Sequence, residues 1–74
     1  MKSTYKHIHF IPATEKLDKD GYICRNTRGK VLGYVYWFEE WNQYCYYDAV
    51  YGIYSQSCLE DIAHFLSQLK EEGG

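Results

Sequence analysis

Alternating apolar and polar side chains mark most of this chain as strand, and one stretch of 3.6-residue periodicity marks a helix near its end. In TYKHIHFIP, residues 4–12, Lys6, Ile8 and Phe10 share one parity and Tyr5, His7 and His9 the other, so a first strand is expected there. Pro12 has no N–H to give a ladder and ends that strand or holds it at a sheet edge. ATEKLDKD, residues 13–20, is polar and reads as a loop. GYICRN (21–26) and VLGYVYWF (31–38) read as the second and third strands, the latter rich in β-formers. Gly29, in the NTRGK segment between them, supplies the positive φ that a short hairpin needs. EEWNQ turns the chain into a fourth strand, YCYY (44–47), and Gly52-Ile53-Tyr54 (52–54) reads as a short fifth.

The helix is expected over residues 58–71. Ser57-Cys58-Leu59-Glu60 has the S-x-x-E spacing of a capping box, in which hydroxyl and carboxylate each take an orphan backbone N–H. Leu59, Ile62, Ala63, Phe65, Leu66 and Leu69 then recur at helical spacing on one face. Glu71-Glu72-Gly73-Gly74 is expected to fray. A helix of this length is marginal alone in water, so it must rest on the sheet. The expected fold is α+β: a single domain, residues 1–74, with an antiparallel meander of four to five strands and one C-terminal helix on one face.

Parity sorts the side chains of the third and fourth strands. Val35 and Trp37 share a face with Gly33, and Tyr34, Tyr36 and Phe38 share the other. Gly33 on the helix side allows close approach of the helix, which assigns Val35 and Trp37, with Tyr44 and Tyr46, to the core. Tyr34, Tyr36 and Tyr47 are left on a second face that no remaining element covers. Such a face is a wet cross-strand tyrosine ladder, a dimer interface, or a site for another protein or ligand.

Composition sharpens that choice. Residues 33–47, GYVYWFEEWNQYCYY, hold eight aromatic side chains, and the chain as a whole is 19% aromatic with nine tyrosines. Tyrosine suits interfaces because its body is apolar and its tip polar. Net charge is −2, but Lys and Arg concentrate in residues 1–30 and acids in residues 31–74. Either the surface is dipolar and steers a charged partner, or Glu60 and Asp61 sit in the helix's first turn, where the dipole favours them. Residues 31–69 contain no Lys or Arg. Nucleic acid is therefore not the expected partner of the exposed rings, even with Arg25, Arg28 and Lys30 on the neighbouring hairpin.

Other chemistry finds little footing. Three cysteines, Cys24, Cys45 and Cys58, form no CxxC and no even framework, which fits a reducing cytoplasm. No stretch has the length of a signal or a membrane span, so a cytoplasmic location is expected, with no membrane partner. His7 and His9 have a chelating spacing on a strand, but only His64 and scattered cysteines are there to complete a site, so no metal is expected. Cys58 at a helix start would be an activated thiol, yet His64 lies too far along the helix to be its base. Tyr51-Gly52-Ile53-Tyr54 lacks the second tripeptide, Arg and Glu of the GIY-YIG nucleases. No catalytic residue and no cofactor are expected, and the chain is not read as an enzyme.

Residues 22–69 carry three spaced motifs. Cys24 and Asn26 fill C-x-N; Leu32, Gly33, Val35, Trp37, Trp41, Gln43, Tyr44 and Tyr46 fill L-G-x-[IV]-x-W-[YF]-x-x-W-x-Q-Y-x-[FY]; Cys58, Leu59, Ile62, Phe65, Leu66 and Leu69 fill C-L-x-x-I-x-x-F-[IL]-x-x-L. In this the segment resembles a family of small phage and prophage proteins of unknown function. Where that family carries Pro and basic residues near its second Trp, this chain has Glu39-Glu40, which makes the turn acidic. The resemblance implies a phage or mobile-element origin. On that ground the expected function is a non-enzymatic accessory protein that binds a host or phage protein with a basic surface, and an anti-CRISPR-type inhibitor of host defence is one form of it. The binding residues are expected to be Tyr34, Tyr36, Glu39, Glu40, Trp41 and Tyr47, since Tyr and Trp are favoured anchors. The alternatives are a small-molecule or nucleotide binder that stacks a base on its tyrosines, and a structural homodimer.

Overall fold

In a computed structural model the chain is described over residues 1–13 and 21–72. Four strands, β1 (Ile8–Pro12), β2 (Tyr22–Asn26), β3 (Val31–Phe38) and β4 (Gln43–Asp48), are followed by one helix, α1 (Gln56–Glu72). They form an antiparallel sheet in the order β1-β2-β3-β4 with the helix on one face. The α+β meander is thus the fold. The loop expected over residues 13–20 lies, but for Ala13, outside the described residues; of the fraying expected over residues 71–74, Glu71 and Glu72 are still helical and residues 73–74 lie outside the described residues.

The β2–β3 and β3–β4 turns have identifiable causes. Between β2 and β3, the Asn26 side-chain oxygen accepts the Arg28 and Lys30 N–H groups at 2.9 Å each, while Gly29 takes φ 86°. Between β3 and β4, the Trp41 N–H reaches Phe38 O at 3.2 Å and the Asn42 N–H reaches Glu39 O at 3.1 Å. Asn42 closes that turn at φ 53°, a conformation asparagine tolerates better than most side chains.

The core is one cluster of Ile8, Phe10, Cys24, Val35, Ile62, Phe65 and Leu69. The Phe65 ring lies flat on Phe10, with centroids 4.0 Å apart and planes 2° apart, and stands edge-on to Tyr22 at 5.0 Å. Cys58, Ile62, Phe65, Leu66 and Leu69 form the helix's inner stripe. Leu59 and Ala63, expected on that stripe, are exposed, because it runs through Cys58 instead.

Several expectations need correction. Residues 4–12 are not one strand. The Tyr5 N–H bonds Ile8 O at 2.8 Å, so the chain bends over residues 5–7 and residues 3–4 fold back along β1. His7 therefore lies in the bend and shares no strand face with His9. Residues 52–54 form no strand. They are held by Tyr54, whose hydroxyl donates to Asp48 Oδ1 at 2.6 Å and accepts from the Tyr46 hydroxyl at 2.8 Å. The helix begins two residues early: Ser55 Oγ, not Ser57, accepts the Cys58 N–H at 3.2 Å. Glu60 instead takes the Gln56 side-chain amide at 2.9 Å. No acid lies in the first turn, so the helix dipole does not account for Glu60 and Asp61.

Trp37 shares the helix-side face with Val35 but is 38% exposed rather than core. β2 begins at Tyr22 opposite Val35, so among the described residues the end of β3 has only β4 paired beside it. There the Trp37 ring meets Tyr44 edge-on at 5.3 Å.

Candidate functional site

The face of the sheet away from the helix collects the aromatic side chains of β3 and β4. Register makes the collection continuous. Tyr34 pairs with Tyr47 and Tyr36 with Cys45, all pointing away from α1. Along β3, Tyr34 and Tyr36 lie nearly parallel, 5.9 Å between centroids and 16° between planes. Across the strands, Tyr36 meets Tyr47 at 5.2 Å. Phe38 extends the row, 6.4 Å from Tyr47 and 5.1 Å from Trp41. Five rings therefore form one unbroken surface on the β3–β4 hairpin, and no element among the described residues covers it.

The rings are not equally open. Trp41, on the turn, is 66% exposed and Tyr47 is 38% exposed, while Tyr34, Tyr36 and Phe38 half-bury one another. Tyr36, in the middle of the row, has its phenol pKa raised, first by burial and then by its neighbours Tyr34 and Tyr47. Glu39 and Glu40 are exposed on the turn beside Trp41. At the opposite side of this face, His9 and Ile11 of β1 and Ile23 and Arg25 of β2 continue the sheet. Arg25 Nε is closed off from solvent and has no hydrogen-bond partner among the described residues.

The six residues expected to bind a partner are thus brought together on one hairpin. Phe38 completes their row; its parity with Tyr34 and Tyr36 was the available signal. Tyr51 and Ile53, 98% and 101% exposed in the loop before the helix, form a second apolar projection. Nothing in the sequence reading singled them out as exposed, because a fifth strand would have half-buried them.

Groups weighed for chemistry are dispersed. Cys24 is fully enclosed, and burial pushes its thiol up to about 11, so it is a packing residue and not a nucleophile. His64 is engaged with Tyr5, whose hydroxyl lies 2.9 Å from His64 Nδ1. Among the described residues, no three His, Cys, Asp or Glu side chains lie close enough to hold a metal. No helix among them is long and apolar enough to cross a membrane. Comparisons with known proteins return no matching family model, no matching curated protein and no matching solved structure.

Proposed function

We propose that this chain is a non-enzymatic binding module that grips another protein with the aromatic face of its β3–β4 hairpin. One observation carries the reading: five contiguous rings lie on a sheet face that nothing among the described residues covers. Tyr and Trp give large rigid contact area at low entropic cost, which is why they dominate interface hot spots. Trp41 and Tyr47 are the open anchors, with Tyr34, Tyr36 and Phe38 as the platform between them. Glu39 and Glu40 set the charge of the rim and favour a basic target surface.

The resemblance to small phage and prophage proteins supports a host or phage protein as the target, inside the infected cell. A component of host defence that handles nucleic acid has the basic surface this rim would meet. Capture from a bacterial lysate tests the reading, with Tyr36→Ala and Trp41→Ala proteins beside the wild type. The proposal expects a specific protein that the wild type retains and both variants release while staying folded by circular dichroism. Equal retention by all three would sink the assignment to this face.

A further inference from the structure

The two edges of the sheet are finished differently. In the β1–β2 ladder the Ala13 N–H donates to Gly21 O at 2.9 Å. Pairs of an antiparallel ladder alternate, so Ile11 and His9 also turn their backbone groups to β2, and those of Ile8, Phe10 and Pro12 face outward. The N-terminal segment uses them: Ile8 O accepts the Tyr5 N–H, and the Phe10 N–H donates to Ser3 O, each at 2.8 Å. Pro12 has no N–H to offer. This edge is closed.

The β4 edge is not. The Ala49 N–H donates to Leu32 O at 2.9 Å, and the unbroken register carries that phase through Tyr34↔Tyr47 and Tyr36↔Cys45. The backbone groups of Tyr44 and Tyr46 then face outward, and no segment among the described residues pairs with them. β4, QYCYYD, contains no Pro and no Lys, and its register with β3 shows no bulge, so the usual protections of an edge are missing. Alongside it, between β4 and α1, runs an open groove of about 480 Å³ lined by Trp41, Tyr44, Tyr46, Leu66, Ser67 and Lys70.

We infer that β4 accepts an extended segment of a partner protein as a fifth strand, and that this segment is basic at its ends. The inference rests on the reading of the chain as a protein-binding module, but places the contact on the edge rather than on the rings. Main-chain bonds to Tyr44 and Tyr46 hold the added strand. Its side chains fall alternately into the groove and toward the Tyr36–Tyr47 face. Charge decides the occupant. The acids Glu39 and Glu40 precede β4 and Asp48 ends it, and the hairpin carries no basic residue. A second copy running antiparallel would lay its Asp48 beside the first copy's acidic turn, at both ends of the interface. A strand with Lys or Arg at its ends meets opposite charge instead. Lys70 is the one cation among the described residues that line the groove.

The probe is a short peptide of alternating Val and Thr with Lys at both ends, prepared unmodified and in two complementary N-methylated forms, each blocking alternate amides. Titration into the intact protein, followed by tyrosine and tryptophan fluorescence, is expected to show binding of the unmodified peptide. One N-methylated form should bind comparably and the other at least about tenfold more weakly, since only one set of amides faces β4. Replacing the terminal Lys by Glu should abolish binding. Tyr44→Pro, which removes an outward N–H and no ladder bond, should weaken it, whereas Tyr34→Ala, on β3 and away from the groove, should leave it unchanged. The inference is overturned if the unmodified peptide does not bind, if both methylated forms bind equally, or if the protein alone self-associates through this edge in sedimentation. Loss of the peptide in the Tyr34→Ala protein with no effect of N-methylation would remove the edge and keep the aromatic face. Failure of that face appears instead in the lysate capture.

Discussion

Gly33 faces the helix side of the sheet, yet what lies over it is the ring of Tyr46. A Cβ there would meet the Tyr46 hydroxyl at 2.5 Å and crowd the Tyr47 carbonyl. The glycine makes room for a neighbouring strand's tyrosine, not for the helix as the sequence suggested. Gly33→Ala is expected to destabilise by about 1–3 kcal/mol in urea unfolding, because backbone and a half-buried ring must both shift. The Tyr46 ring is placed so that its hydroxyl donates to Tyr54, which donates to Asp48. Burial, then the bond to Tyr54, raises the Tyr46 phenol pKa far above its ordinary value. The bond from Tyr54, together with backbone N–H groups, lowers the Asp48 carboxyl pKa below its ordinary 3.8. A carboxylate with a lowered folded pKa adds stability that is complete well above 3.8 and is lost as pH falls through the folded value. Acid unfolding of the wild type should thus show a component below about pH 5 that Asp48→Asn lacks. Parity put Tyr34, Tyr36 and Tyr47 on one face together, since a side-chain period of two is rigid; that this face is the one away from the helix was inferred from Gly33, whose room is in fact taken by Tyr46. Nor could parity show that Trp37 would be exposed, which depends on where the neighbouring strand stops.

At the scale of elements, hairpins were more legible than ends. Gly29 takes the left-handed conformation its position demanded, and the EEWNQ turn forms where the aromatic alternation breaks. The first strand was over-read because alternation continues through Thr4–His7, although a backbone bond from Tyr5 to Ile8 reverses the chain there. The helix start was misplaced because Ser55 and Ser57 both offer a cap. Tyr54 is anchored to the sheet, so the helix begins immediately after it, and Cys58 then enters the inner stripe. Ser55→Ala is accordingly expected to cost about 1 kcal/mol in denaturant unfolding, and Ser57→Ala markedly less. The reverse ranking would restore the capping box at Ser57-Cys58-Leu59-Glu60. The strand 52–54 was predicted from composition, but Tyr54 spends its hydroxyl on Asp48 and Tyr46 and its neighbours stay in solvent.

For the whole molecule, one short helix covers one face of a four-stranded sheet, and the uneven supply of aromatics does the rest. Ile8, Phe10, Phe65 and Val35 fill the covered side, and the rings of Tyr34, Tyr36, Phe38, Tyr47 and Trp41 are left to the other. Which side chains share a face was readable from strand periodicity and the helix stripe, but not which face of the sheet the helix takes. The closure of one edge and the openness of the other were not, since they turn on the phase of the hydrogen-bond ladder. A tyrosine ladder that merely stiffened the sheet would trade only stability when cut. A contact surface would trade affinity. The deciding measurement is isothermal titration of the captured partner with wild-type protein and with the Tyr36→Ala, Trp41→Ala double variant, read beside the urea stability of each. The account predicts a loss of affinity of about thirtyfold or more, at least the scale of one hot-spot anchor, with the fold retained. Unchanged affinity in a folded double variant would contradict it.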